Sequence, residues 1–563
     1  MPGTSPTRHR TSGSVMTHPK RIEAARRIAA DAPPGALSVV VDPDPTGRPS
    51  VLRTALAAWS AIEEGATHHL VVQDDMILSD AFFERARLAV EAMPDAALAL
   101  FALWDSRNGA AVRFGALSGA RWVGAVGEYF PCVAIILPRE VAAGYVEFAR
   151  RHLFAWPDDI LMDRYLRAAG VPRFVAVPNL AEHDDQGSIS GNAFRGPRRS
   201  VCFLPEDRPG SEELQLTDLQ VIPYAKYGVA RCDVRLPGPG RPRWLHIESE
   251  QYLEGLGVPV DRLRSRLPRP TPGVDPQTAW STWLTAYTTG LVHHDLPALR
   301  EPDPAVLAEC LSTLGPGGIA QNGTAEEIAA LRDGLADLTR HGLLAAREDG
   351  PVRPRPRAVL PSFSLSRADT PLGEHLARGL TDRGHRLADP AASPAALIEL
   401  PDGTGPLLVH RPGLPTLTLH LGDLYGPGAS RHTPLGRMVW SALRSHPILV
   451  EGDPEAPRHP LHVNDLSSAL STLLRTPPAT TTFTLAPDKP LTTRDLAETV
   501  HRVVRPTPVE LSPAPAATPT TPLTPALTTA LPPGWHPTVD LDYGLHSFAQ
   551  WLAYEGIHLP DAD

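Results

Sequence analysis

The chain has 563 residues, 42% hydrophobic and 21% charged, enough core for roughly three or four domains and too apolar for global disorder. Its net charge of −10 argues against sequence-independent nucleic-acid binding. Proline is in excess, 62 residues where about 5% of a chain is usual, and Lys20, Lys226 and Lys489 are the only lysines, a bias we read as compositional.

Residues 1–17 are rich in Ser, Thr, Arg and Pro and read as a disordered N-terminus, with Met16 a possible alternative start. They hold no apolar run of the kind a secretory signal needs, and the longest apolar stretch, Ala96 to Trp104, is too short to span a bilayer. Cys132, Cys202, Cys232 and Cys310 lie far apart with no C-x-x-C pair, which excludes a cysteine zinc knuckle and leaves four small hydrophobes. A soluble, cytoplasmic protein without a membrane span is expected.

Residues 18–235 alternate strand and helix signals. Leu37 to Val41 is a compact apolar run closed by Asp42-Pro43-Asp44-Pro45, and Ser50 to Glu64 has helical spacing ending at Gly65. His69 to Gln73 is a second buried strand, closed by Asp74-Asp75, and Ser79 is placed to cap a helix over Asp80–Met93. Ala96–Leu103 and Val133–Leu137 are further strands. This alternation predicts an α/β fold, a mostly parallel sheet with helices on both faces. Residues 236–350 open on a Pro/Gly/Arg linker and continue as a helical module around Gln277–Leu291, Pro304–Leu314 and Ala325–Ala345. His293-His294 resembles a metal cluster only superficially, because adjacent side chains point apart. Residues 351–563 start on a stiff Pro/Arg stretch and continue as a smaller α/β pattern, with a Pro/Thr/Ala-rich loop over 506–533.

The most informative constellation is the strand that ends in Asp74 and Asp75. Ligands of open α/β sheets bind at such strand ends. Two adjacent carboxylates repel, so a hard divalent cation, Mn²⁺ or Mg²⁺, is a natural counter-ion, and such ions prefer few protein carboxylates plus phosphate oxygens. A surface turn can carry the same two residues with no ligand at all.

Three segments in order resemble glycosyltransferases of the GT-A fold: Val39 to Pro43, Thr67 to Phe83 with Gln73-Asp74-Asp75, and Trp156 to Asp163 followed by Val177 to His183 and Ser188 to Asn192. The resemblance covers somewhat over a third of the chain. It implies a nucleotide-sugar donor and a metal held by Asp75 and His183. It further implies that Asp74 and Asp42 lie near the ribose or nucleoside, and that Asp158 or Asp159 is the base that takes the acceptor hydroxyl's proton. Asp158 and Asp159 are also what a plain helix start would show. Gln73 departs from the family, where an acid is common.

Residues 351–563 resemble the extended short-chain dehydrogenase/reductases, which include NAD-dependent sugar epimerases and dehydratases. The match lies at Thr418 to Gly428, at Pro460 to Leu466 with His462-Val463-Asn464-Asp465, at Phe483 to Ala486, at Leu491 to Leu496 and near Gly534 to Leu545. The catalytic parts depart. Of the glycine-rich turn only Gly373 stands within Arg367 to Leu376, and the Tyr-x-x-x-Lys pair is absent, Lys489 being preceded four residues earlier by Leu485. The block reads as a degenerate, truncated Rossmann-like domain, and NAD as an improbable cofactor.

The expected function is a metal-dependent glycosyltransferase acting on an unidentified acceptor, with a non-catalytic dehydrogenase-like domain attached. The alternatives are a scaffold built from two enzyme-like domains, and an NAD-dependent sugar epimerase or dehydratase. Proline linkers at 236–243 and 351–356 lead us to expect that residues 16–235 fold alone, unless the middle helices cover an apolar face of that block.

Overall fold

The computed structural model describes residues 9–47, 50–127, 129–152, 157–184, 196–238, 242–269, 272–321, 323–352, 360–401, 405–476, 478–512 and 531–556. The chain divides into two units, each discontinuous: residues 1–242 with 261–352, and residues 243–260 with 353–563.

The first unit is built on an eight-stranded sheet. Its strands are β1 (Thr11–Thr17), β2 (Ser38–Val41), β3 (His68–Gln73), β5 (Ala97–Ala99), β6 (Trp122–Gly124), β7 (Ala134–Pro138), β8 (Arg173–Ala176) and β10 (Gln215–Leu216). A separate antiparallel pair joins β4 (Met76–Leu78) to β9 (Ala181–His183). The spatial order of the large sheet is β10-β6-β8-β5-β7-β3-β1-β2. Strands β2, β1, β3, β5 and β8 run one way, and β7, β6 and β10 run against them. The helices are α1 (Ile22–Asp31), α2 (Val51–Ser60), α3 (Phe82–Ala92), α4 (Arg107–Ser118), α5 (Arg139–Arg150) and α6 (Asp158–Ala168). Leu70 and Val72 of β3 share a core with Phe82, Ala86, Ala89 and Val90 of α3 and with Leu98 and Ile136.

Two expectations fail here. Residues 11–17 are not disordered: β1 lies between β2 and β3, and Met16 pairs with Val40 and Gln73. Nothing in Thr-Ser-Gly-Ser reads as apolar, because this strand meets polar neighbours inside the sheet. Ser12 Oγ lies 2.8 Å from His69 Nδ1, and Ser14 Oγ lies 3.3 Å from His69 Nε2. Ser79 does not cap α3. That helix starts at Phe82, with Ala81 at its N-cap position and no side-chain cap.

The middle helices do not form a separate module. Helices Pro276–His293, Pro304–Ser312 and Ala325–Asp349 belong to the first unit. Helix α4 is buried along its whole length. Arg113 on it reaches the carbonyl of Cys310 (3.0 Å) and the hydroxyl of Thr313 (3.1 Å). Helices Pro276–His293 and Ala325–Asp349 approach closely at Gly342, where a Cβ would lie 2.9 Å from that of Ala286, and at Gly290, where it would lie 2.6 Å from that of Ala346. His293 and His294 are structural, the first 3.3 Å from Ser118 Oγ and the second 3.2 Å from the Ala346 carbonyl.

The second unit carries a six-stranded sheet ordered Arg386–Leu387, Ser362–Leu365, Ala396–Glu399, Leu407–His410, Leu417–Leu421, Thr482–Leu485. The first two pairings and the last are parallel. The three central strands Ala396–Glu399, Leu407–His410 and Leu417–Leu421 form an antiparallel meander. Parallel neighbours need a crossover of a dozen or more residues, and the links inside this meander are too short to hold one. The overall class is mixed α/β, as expected.

Candidate functional site

The carboxyl end of β3 is the meeting point. Gln73 N bonds the carbonyl of Val133 just before β7 (2.8 Å), and Asp75 O accepts from Asp184 N just after β9 (2.8 Å). Phe130 N bonds the carbonyl of Asp159, which ties the start of α6 to the same edge (3.2 Å). The topology thus gathers Asp74, Asp75, His183, Asp158 and Asp159 at one end of the sheet.

Asp74 is fixed from two sides. Thr17 Oγ1 at the end of β1 donates to its Oδ2 (2.5 Å), and Arg21 Nη1 approaches its Oδ1 (3.4 Å). Burial raises its pKa first, and the Asp75 charge adds to that, against the Thr17 and Arg21 contacts. Arg21 Nη1 also donates to Asp75 Oδ2 (2.8 Å), from which His183 Nε2 stands 3.5 Å away. The counter-charge to the acidic pair is therefore an arginine from the turn after β1, a residue the sequence reading missed.

Asp42, expected beside a nucleoside, is otherwise engaged. Arg53 forks onto it through Nε and Nη2, both at 2.8 Å, and this hydrogen-bonded pair holds its carboxyl below the usual range. Its carboxylate serves to join the end of β2 to α2.

Asp158 behaves differently. Burial first, then the neighbouring Asp159, pushes its carboxyl up to about 7. Asp159 Oδ1 accepts from the Ile160 amide (2.8 Å) in the first turn of α6. Asp159 thus serves the helix start, while Asp158 is a carboxyl poised near neutrality.

Glu182 is a further residue missed in the sequence. Its Oε1 accepts from the amides of His183 (2.6 Å) and Ser200 (2.8 Å), and its Oε2 from Ser200 Oγ (2.9 Å). It fastens the segment that returns at Ser200 to the strand carrying His183. Trp156 and the expected Ser188–Asn192 segment lie outside the described residues.

A divalent cation fits the donors in part. Asp75 Oδ1 is buried without a hydrogen-bond partner, and Asp75 Oδ2 and His183 Nε2 are close enough to share an ion. Asp74 is not placed to join them. Among the described residues no group of three or more His, Cys, Asp or Glu side chains converges as a ligand set, so water and phosphate oxygens would have to complete the sphere.

In the second unit the family-like residues have structural partners. Thr370 Oγ1 caps the helix Pro371–Asp382 through the Gly373 amide (3.2 Å), an N–H that a phosphate would need. His462 Nδ1 accepts from Asn464 N (3.2 Å) at the start of helix Val463–Arg475. Asp465 accepts from the amides of Thr538 (2.8 Å) and Val539 (3.3 Å), which anchors the approach to the last helix.

No family model and no curated protein matches the chain. Several solved structures do. UDP-glucose 4-epimerase of Thermotoga maritima is 19% identical over 24% of this chain and 44% of its own, with a TM-score of 0.21. dTDP-glucose 4,6-dehydratase of Bacillus anthracis is 18% identical over 26% and 46%, with a TM-score of 0.22. UDP-glucuronic acid 4-epimerase of Bacillus cereus is 15% identical over 24% and 44%, again at 0.22. The chain spans less than half the length of each. At this TM-score the likeness carries no argument about activity. Among the described residues no helix is long and apolar enough to cross a membrane.

Proposed function

We propose that the first unit transfers a glycosyl group from a nucleotide-sugar donor to a hydroxyl acceptor. What supports this reading is that Asp75 and His183 lie 3.5 Å apart just beyond β3, and that Asp158, a carboxyl near neutrality, opens a helix whose first turn is tied to the loop leading into β7. Asp75 and His183 would hold Mn²⁺ or Mg²⁺, which when bound neutralises charge on a leaving diphosphate. Asp158 in its anionic form accepts the proton of the acceptor hydroxyl through a carboxylate oxygen, and a pKa near the working pH suits that task. Glu182 and Ser200 keep His183 in place. Asp74, locked by Thr17 and Arg21, holds the strand end rigid.

The test uses the full chain. Uridine, guanosine and thymidine diphosphate sugars are incubated with Mn²⁺, and release of nucleoside diphosphate is followed. At least one donor should be consumed, and Asp75→Asn and Asp158→Asn should each slow it about a hundredfold or more while the protein stays folded. No consumption and no binding of any donor would remove the proposal.

A non-catalytic second unit is favoured by the antiparallel meander, which occupies the middle of its sheet with links too short to carry a helix. An epimerase or dehydratase activity there would predict co-purifying NAD and hydride transfer, and either would overturn this part.

A further inference from the structure

We infer that Arg21 competes with the divalent cation for Asp75, and so keeps the protein's affinity for the free metal ion low. The inference deepens the transferase reading and rests on it for what the metal is used for, but not for its test.

One oxygen is contested. Asp75 Oδ2 accepts from Arg21 Nη1 at 2.8 Å and stands 3.5 Å from His183 Nε2. An ion shared by Asp75 and His183 through that oxygen would meet the guanidinium at close range. Arg21 cannot shed its charge by losing a proton, so the two cations repel. Solvent weakens this conflict little, because the side chains of Arg21, Asp74, Asp75 and His183 are only 12%, 9%, 13% and 16% exposed.

Charge balance points the same way. Asp74 and Asp75 against Arg21 leave a single negative charge, and a divalent ion would reverse its sign unless Arg21 withdrew or an anion came with the ion. Among the described residues no third His, Cys, Asp or Glu side chain converges to add negative charge or a further ligand. Under the transferase reading, the donor's diphosphate would supply both.

Arg21 has a place to withdraw to. Its Nη1 lies 3.4 Å from Asp74 Oδ1, a longer contact than the one to Asp75, while Thr17 Oγ1 takes the other oxygen of Asp74. Its backbone is tied into the turn Pro19–Arg21, where the Arg21 amide bonds the His18 carbonyl (2.8 Å). A short swing of the side chain therefore exchanges Asp75 for Asp74 and leaves the turn in place.

The test is binding of Mn²⁺ alone to the full chain, read from the loss of the free ion's paramagnetic resonance signal. Arg21→Gln, which removes the charge, should bind Mn²⁺ about tenfold more tightly than the wild type or better, and Arg21→Lys, which keeps the charge, should not. Adding Asp75→Asn to Arg21→Gln should abolish the gain. The inference is overturned if folded Arg21→Gln binds Mn²⁺ no more tightly than the wild type, if Arg21→Lys gains as much, or if the gain survives Asp75→Asn. Should Arg21→Gln fail to fold, Arg21→Met, which keeps an unbranched stem without the charge, decides the same question. A gain in Mn²⁺ affinity in a protein that neither binds nor consumes any nucleotide sugar would leave this inference standing and sink the transferase reading. Donor consumption by the wild type, with equal Mn²⁺ affinity in Arg21→Gln, would do the reverse.

Discussion

Asp158 opens helix α6, where the helix dipole should favour its anion. Burial and the adjacent Asp159 outweigh that field and move the carboxyl up to about 7. The consequence for rate has a definite sign. A base must be deprotonated, so donor consumption should rise as pH increases through about 7, and Asp158→Asn should lose that limb. The consequence for stability has the opposite sign. Between about pH 4 and 7 the folded state keeps a proton that the unfolded chain has released, so stability falls as pH rises across this window. Asp158→Asn should therefore be more stable than the wild type above pH 7, by roughly 1–2 kcal/mol in urea unfolding. Identical unfolding curves at pH 5 and pH 8 for both proteins would show that the carboxyl is not perturbed. At this scale the acids were legible in the sequence and their partners were not. Asp74, Asp75, Asp158 and His183 follow strand ends and helix starts that local patterning reveals. Arg21 reaches residues more than 50 positions away, and Glu182 reaches across 18. No local pattern encodes such distances.

Among the elements, β3 and β1 show the limits of reading hydrophobicity. His68 to Val72 are all buried, and the run of apolar residues at 70–72 announces the strand. Strand β1 is equally buried beyond Thr11, but five of its seven residues are Ser, Gly or Thr, with only Val15 and Met16 apolar. Its polarity is matched internally. The two serines face His69, whose ring also meets the Ala58 carbonyl (3.0 Å), and burial drops the pKa of that ring to about 4, so it is neutral at physiological pH. Gly13 is required by close approach, since a Cβ there would lie 2.6 Å from the Ala36 carbonyl oxygen and from Leu37 Cδ2. A chain beginning at Met16 would lose most of β1, including both serines, and would strip His69 of two partners. Leaving buried polar groups unmet costs about 1–3 kcal/mol each, a large part of a total near 5–15 kcal/mol. That shortened protein should be insoluble or lack near-ultraviolet dichroism. Ser12→Ala with Ser14→Ala in the full chain should fold with a clearly lowered melting temperature. Wild-type stability of either would mean that β1 is dispensable.

For the molecule as a whole, the order of residues along the chain misleads about which parts fold together. The proline-rich stretch at 236–243 looks like the end of a domain, and the chain does leave the first unit there. It returns at residue 261, and the helices up to residue 352 complete that unit. Sequence periodicity finds each of these helices well: Asp275, Asp303 and Thr324 cap them as good N-cap residues should. Periodicity does not say which surface they cover. Helices Pro276–His293 and Pro304–Ser312 pack against α4, which has no exposed side of its own and carries Arg113 at its centre, and helix Ala325–Asp349 packs on those two. Desolvation brings the Arg113 guanidinium down to about 10, and of its three acceptors only the Trp104 carbonyl (2.9 Å) would survive removal of residues 304–318. Breaking the partners of a buried charge costs about 3–5 kcal/mol, and the bared face of α4 adds exposed apolar surface. Residues 9–235 alone should therefore aggregate or form an unpacked state, against the independence that the linker suggests. Residues 9–352, which restore the three helices and carry 243–260 as an appended segment, should run as a monomeric species with a cooperative melt. That longer fragment should also retain the Mn²⁺-dependent nucleotide binding proposed for the full chain. Size-exclusion chromatography, near-ultraviolet dichroism and calorimetry on the two fragments check this directly. A folded, nucleotide-binding 9–235 fragment would show that the helices decorate the unit rather than complete it.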